Sequence, residues 1–326
     1  MKRFLIEALM LFAVCGAATA QFDGAVGTTG CKAIQYNDSR IVNWATSCTV
    51  YRGFLNIASN RTLASFGSDT VAIGPISASD ATNTMAAVSL GDSGVAVLTF
   101  ETPIADGEGP DFAVYENGFG DGFLELAFVE VSSDGQRYVR FPATSNTPTS
   151  SQVGSFADNM DPTLINNLAG KYRIGWGTPF DLNELRDSAG LDINNITHVR
   201  LVDCIGTIDP QYCTYDAHGN IVNDPYPTAF NSGGYDLTGV AVLNQRSASI
   251  TVADLSNVKV FPNPCHNWLK MEGMPIGEEY RIFDQSGSVV MLGVCSENSF
   301  CIDVEGLKSG LYVLRIGGIA KKIVKQ

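Results

Sequence analysis

Bases are scarce in this 326-residue chain: 21 Lys and Arg stand against 34 Asp and Glu, with only three His. A net charge of −13 repels a phosphate backbone, so nucleic-acid binding is not expected. Long apolar runs are missing as well. Beyond residue 20 none has the length a helix needs to cross a bilayer. Apolar residues at helical spacing are almost nowhere sustained over ten positions, which argues against a helical fold. There is no C-x-x-C pair, so structural zinc and dithiol redox chemistry are not expected. No EF-hand loop occurs either.

What is present begins with an export signal. Lys2 and Arg3 form a basic end, Phe4 to Gly16 an apolar core, and Ala18-Thr19-Ala20 a small-residue cleavage site, so residues 1–20 read as a signal peptide. Cys15 follows Val14, a poor fit to a lipidation site. Seven cysteines lie beyond the leader, and an exported chain meets oxidising conditions. Close spacing favours disulfides Cys31–Cys48, Cys204–Cys213 and Cys295–Cys301, with Cys265 left over, although spacing does not fix connectivity.

From residue 21 to 246 short β-patterned runs alternate with Gly, Pro and Asn-Asp punctuation, the pattern of an all-β, jelly-roll-like β-sandwich. A hairpin is expected from Met85–Leu90 to Val95–Phe100 across Gly91–Gly94. The organising stretch is Asp106–Pro142. There Phe112–Tyr115 and Phe123–Val131 read as strands joined by an acidic glycine loop, Glu116–Gly122, and Arg137–Phe141 reads as a returning strand. Residues 247–257 form a polar linker. The tail from Val258 carries eight bases and seven acids, whereas the main domain carries 11 and 26, a charge step that marks a boundary.

The tail also carries a resemblance. Val260–Pro264 contains P-N-P, an Asp284-to-Gly287 turn follows, then Leu307–Arg315 reads L-K-S-G-L-Y-V-L-R, and the chain ends on Lys321, Lys322 and Lys325. This order resembles the type A C-terminal sorting domain of Bacteroidetes type IX secretion cargo. The resemblance implies a small immunoglobulin-like β-sandwich over residues 258–326, handled by the type IX secretion machinery, and a protein exported through the periplasm to the outer-membrane surface or released. The phrases GPDFAVYENGF, ELAFVEVSSDG, AGKYRIGWGTPFDL, HVRLVDCIG and DPYPTAFNSGGYDLTGVAVL resemble a loosely characterised group of bacterial cell surface proteins that implies no catalytic activity. An architectural analogy with cobalamin-binding surface β-sandwiches transfers no site.

The residues themselves offer two sets of candidates. Asp106, Glu108, Asp111, Glu116, Asn117 and Asp121 could supply the oxygen ligands that Ca2+ takes, or could simply solvate turns. Asp203 and Asp236 are possible additions. Tyr172, Trp176, Phe180, Tyr226 and Phe230 fall in glycine-punctuated loops and could present stacking faces to a glycan or a small nutrient such as a corrinoid, or could cap the core. Glu125 and Glu130 are the residue types of a glycosidase pair, but their odd spacing puts them on opposite faces of one strand. Ser93 within Gly91–Gly94 has no evident triad with His198 or His218. Asp69–Val71 and Asp187–Ala189 fit a short O-glycosylation pattern. The expectation is a non-catalytic surface binder, with a secreted polysaccharide hydrolase or a purely structural envelope protein as alternatives.

Overall fold

The computed structural model describes residues 22–246, 258–274, 276–316 and 319–326. The expected signal peptide and the linker 247–257 lie outside them. The chain divides into two compact units, Met1–Arg246 and Ser247–Gln326. Among the described residues the only helical elements are four 3-10 turns, at Asp69–Ala72, Asp80–Thr82, Pro162–Leu164 and Leu182–Leu185.

The first unit contains strands β1 (Ile34–Gln35), β2 (Asn43–Trp44), β3 (Ser47–Tyr51), β4 (Phe54–Asn56), β5 (Asn60–Leu63), β6 (Val88–Ser89), β7 (Val95–Ile104) and β8 (Phe112–Glu116). It continues with β9 (Ala127–Ser132), β10 (Val139–Arg140), β11 (Thr144–Ser145), β12 (Ile165–Asn166), β13 (Leu168–Ala169), β14 (Trp176–Phe180), β15 (Ile196–Asp203) and β16 (Asp236–Val242). One antiparallel sheet runs β1-β14-β8-β16-β2, with β6 also on β16. The other runs β10-β9-β15-β7-β3, with β13 also on β9. The long strands β7, β8, β9, then β14, β15, β16 alternate between the sheets, which is the jelly-roll habit.

Period-two alternation explains why two sheets form and face each other. Phe112 and Val114 of β8 enter the same core as Leu98 of β7, Val129 and Val131 of β9, Val199 and Leu201 of β15 and Val240 of β16. Phe112 stacks on Phe180 at 5.3 Å and meets Phe141 edge-on at 5.9 Å. The intervening residues are also covered. Ala113 and Tyr115 lie under the N-terminal segment with Ile34 and Trp44, and Phe128 under the 143–168 loop with Ala143, Met160 and Ile165.

Three local expectations are corrected. Gly91–Gly94 is not a hairpin: Val88 and Ser89 pair with Leu237 and Asp236 in one sheet, whereas Val95 pairs with Val202 and Tyr51 in the other. The turn carries the chain across the sandwich. Likewise β8 and β9 belong to different sheets, so the acidic glycine loop is a crossover. Phe123–Leu126 are not strand, because the Leu126 amide donates to the Asp224 carboxylate at 2.8 Å and its carbonyl accepts from Cys204 at 2.9 Å. The return at β10 does pair with β9, Val139 opposite Val131.

The seven cysteines are free. Cys48 points into the sandwich core, whereas Cys31 lines a cavity with Asp23 and Lys171. Cys204 is packed with Leu124 and Val222, while Cys213 is half-buried. Cys295 is core and Cys301 exposed, so the three expected pairings are not formed.

The second unit holds β17 (Lys259–Phe261), β18 (Trp268–Glu272), β19 (Glu279–Phe283), β20 (Val289–Val294), β21 (Ser299–Asp303), β22 (Gly310–Ile316) and β23 (Ile319–Lys325). Sheets β17-β18-β21 and β20-β19-β22-β23 enclose a core of Leu269, Met271, Ile282, Ile302, Leu314 and Ile323, a small immunoglobulin-like sandwich.

Candidate functional site

At one end of the first unit the inward rows of two strands finish on acids, and a third strand opens on one. Phe112 and Val114 are followed at the next inward position by Glu116, and Val199 and Leu201 by Asp203. Asp236 opens β16 beside Glu116, since Leu237 is Glu116's partner across the sheet. Glu125 enters from the crossover, and Asp92 and Asp224 from neighbouring turns. All six are buried.

Hydrogen bonding divides them by role. Asp203 accepts from the amides of Ser93 at 2.9 Å and Tyr235 at 2.7 Å, Asp224 from Leu126 at 2.8 Å, and Asp92 from Ile57 at 2.7 Å. These three pin loops. The others keep unused oxygens. Asp236 Oδ2 accepts from Asn117 Nδ2 at 3.0 Å, but its Oδ1 has no partner; Glu116 Oε2 accepts from Gly118 and its Oε1 has none. Among the described residues nothing hydrogen-bonds the Glu125 carboxylate. The buried Tyr235 hydroxyl is also unpartnered, and Ser89, opposite Asp236 across the sheet, turns its hydroxyl toward that carboxylate without closing a full hydrogen bond. Orphaned buried polar atoms are costly and call for an explanation.

Burial, then mutual repulsion, sets the protonation of this group. Burial pushes Asp236 up to about 6. Burial, and then Asp236, raise Glu116 well above its ordinary range. Glu125 is raised by burial and by facing Asp236, Glu116, Asp224 and Asp203. Arg52 draws Asp236 down a little through its charge, but gives its hydrogen bonds to the carbonyls of Phe66, Gly67 and Ser89.

Above these acids opens a pocket of about 290 Å³ whose floor includes Glu125, Asp236 and Asn117. Its lip is apolar and exposed: Phe119 is 54% accessible, Phe156 67% and Phe230 42%, with Met85 beside them. Phe119 stacks on Phe123 at 4.0 Å and Phe156 leans on Phe230 at 5.1 Å. Two glycines permit the arrangement. A Cβ on Gly118 would lie 2.7 Å from Glu116 Oε2, and one on Gly170, at φ +86°, would lie 1.8 Å from the Glu125 carbonyl oxygen. Asn117 also donates to the Thr84 carbonyl at 2.7 Å, tying the Met85 side of the lip to the floor.

The expected metal residues separate. Asp111 precedes β8 and Glu116 ends it, so an extended strand holds them roughly 16 Å apart. One ion cannot use both. Asp106 and Asp111 do come together, with Asp181 rather than Glu116: a carboxylate oxygen of each lies within 4.8 Å of the other two. Asp181 caps the 3-10 turn Leu182–Leu185, accepting from the Asn183 amide at 3.0 Å. Asp111 accepts from Gly107, Leu182 and Asn244, and burial nonetheless pushes it up to about 6; Asp106 Oδ1 is unpartnered. Glu108 is exposed, Asn117 serves the pocket, and Asp121 forms a two-pronged ion pair with Arg173 at 2.6 and 2.7 Å.

Of the expected aromatics, Phe230 lines the pocket. Phe180 does not reach a surface because it stacks in the core. Tyr172 is buried with its hydroxyl on Asp23, in a larger cavity of about 440 Å³ where Lys171 pairs with the same carboxylate at 2.9 Å. Trp176 lies on β14 opposite Gln35, and Tyr226 donates to Asn56 at 2.9 Å. The glycosidase pair is not assembled: Glu130 is held by Arg140 at 2.8 Å and by Arg200, away from Glu125. His198 shares a hydrogen bond with Thr197 at 2.8 Å, while the Ser93 amide serves Asp203.

The class of the protein is set by its second unit. Residues 259–326 match the family described as Secretion system C-terminal sorting domain, so the chain is cargo of type IX secretion, exported to the cell surface or released. Among the described residues no helix is long and apolar enough to cross a membrane. A search of curated proteins finds no match. Among solved structures the chain is similar to PorZ, a surface component of the type IX secretion system of Porphyromonas gingivalis, at 14% identity and a TM-score of 0.20, over 35% of this chain and 20% of that one. It is similar to the BSP domain of a biofilm-associated protein at 10% identity and 0.21, over 89% and 53%, and to the Ruminococcus gnavus beta-glucuronidase at 11% and 0.16, over 72% and 35%. The chain spans from a fifth to about half of those chains, and at such scores the likenesses carry no argument.

Proposed function

We propose that the first unit is a non-catalytic binding module, displayed outside the cell, that takes a small ligand in the Phe-lipped pocket. The observation that carries this reading is the pairing of exposed aromatic rings with buried carboxylates whose hydrogen bonding is incomplete, Glu125 and Asp236, on one cavity. Each is costly in a protein without a ligand, and both are explained by one. A volume of about 290 Å³ suits a single ring or a short chain and favours a monosaccharide-sized compound over a corrinoid. Calcium belongs to the proposal separately, at Asp106, Asp111 and Asp181, where a carboxylate oxygen of each lies within 4.8 Å of the other two.

A second reading rests on Glu125 and Asp236, two carboxylates on one floor, which glycoside hydrolysis would use as acid and base. It requires one of them ionised at neutral pH beside an acid that is not. Hydrolysis of aryl glycosides that disappears in Glu125→Gln would establish it.

The test of the first reading is thermal unfolding of the purified protein with a panel of sugars and small metabolites. A melting rise with one class, lost in Phe156→Ala, supports the pocket. No response to any class, with Phe156→Ala indistinguishable throughout, refutes it.

A further inference from the structure

The pocket's charge is one-sided. Glu125 is 7% accessible and Asp236 5%, both line the cavity, and none of the lining residues is basic. Behind them Glu116 adds a third carboxylate with a free oxygen. Arg52 spends its hydrogen bonds on backbone carbonyls and reaches Asp236 only through its field, so no base of the protein pairs with these oxygens. A neutral ligand would leave these oxygens without an ion partner. Above the floor stand Phe119, Phe156 and Phe230, rings whose negative faces attract a cation.

We propose that the ligand is an organic ammonium ion carrying an apolar group, its charge received by Glu125 and Asp236 and its apolar part by Phe119, Phe156 and Phe230. This rests on the pocket being a ligand site and names the chemistry of that ligand. The positive charge replaces the absent base. It also converts the floor from protonated to ionised, so binding releases protons and strengthens as pH rises. The groups that face the floor are Glu116, Asp203, Asp224 and the Tyr235 hydroxyl, with Arg52 behind Asp236. Every acid among them holds protons on Glu125 more firmly, which keeps the sign of the pH effect unchanged.

Calorimetric titration of the purified protein with benzyltrimethylammonium and phenethylamine, against benzyl alcohol, phenylacetate and neutral monosaccharides, tests it. The ammonium compounds bind and the neutral and anionic probes do not. Affinity for benzyltrimethylammonium falls by about tenfold or more from pH 8 to pH 5, and Glu125→Gln and Phe156→Ala each weaken it by about tenfold. Phe156 is exposed, so its variant folds, and near-native melting of both variants excludes a trivial loss. If benzyl alcohol or a sugar binds as tightly as the cations, and Phe156→Ala removes that binding while Glu125→Gln does not, the cation is wrong and the pocket reading stands. If no probe binds, or binding ignores both substitutions, the inference falls together with the pocket.

Discussion

Replacing Asp236 by Asn should make the protein more stable, and only above acidic pH. The side chain is 5% accessible, accepts one full hydrogen bond from Asn117, and has beside it only the Ser89 hydroxyl, at less than full hydrogen-bond geometry. Asn keeps the acceptor, removes the charge and brings an amide donor towards Glu116. An ordinary carboxyl titrates near 3.8, and here burial lifts it to about 6. Between those values the folded protein holds a proton that the unfolded chain has released, so stability falls as pH rises through the window and stays low above it. At about 1.36 kcal/mol per unit, the penalty at pH 8 is at most about 3 kcal/mol. Glu116 and Asp236 hold each other up, and a net gain of about 1 to 3 kcal/mol is expected at pH 8, shrinking to nearly nothing at about pH 4. Urea unfolding at both pH values measures it. A variant less stable at pH 8, or one whose gain is the same at pH 4, would refute the view that an unmet charge is stored at this end of the sandwich. A stabilising substitution that weakens ligand binding is the usual mark of a site kept for function.

Three further outcomes follow from the packing and the ions. Phe112→Ala opens the centre of the Phe112, Phe141 and Phe180 cluster and should cost about 3 to 5 kcal/mol in urea unfolding. Lys171→Ala takes the ion-pair partner from the half-buried Asp23 carboxylate, which keeps the Tyr172 hydroxyl and the Lys32 amide, and should cost about 1 to 3 kcal/mol, much of it recovered in Lys171→Met combined with Asp23→Asn. Calcium should raise the melting temperature relative to EDTA; Asp181→Ala should abolish the rise, whereas Glu108→Ala and Asp121→Ala should leave it unchanged.

Much of the fold is readable because alternation is a local property. β7, β8 and β15 carry their inward rows in plain view, and the sorting unit carries its own turn and hairpin signatures. Gly91–Gly94 shows why topology is harder. Glycines announce a reversal but not whether the next strand returns to the same sheet. The aromatics failed for a similar reason. Tyr172 is covered by Asp23, 149 residues away in sequence, and a loop composition cannot reveal such a cover. The acids held a usable signal. Glu116 and Asp203 stand at the same parity as the core residues before them, so continuing the inward row by one step identifies a buried carboxylate. The convergence of Asp181 with Asp106 and Asp111 depends on β14 lying beside β8, which only the sheet order supplies.

The central claim is that the Phe-lipped pocket holds a ligand, and methionine methyl resonances report on it directly. Met85 stands exposed at the lip, while Met271 and Met274 are buried in the sorting unit. In protein labelled at the methionine methyls, titration with benzyltrimethylammonium should move the Met85 signal to saturation and leave Met271 and Met274 still. A stationary Met85 under binding conditions, or equal movement of all three, would contradict it.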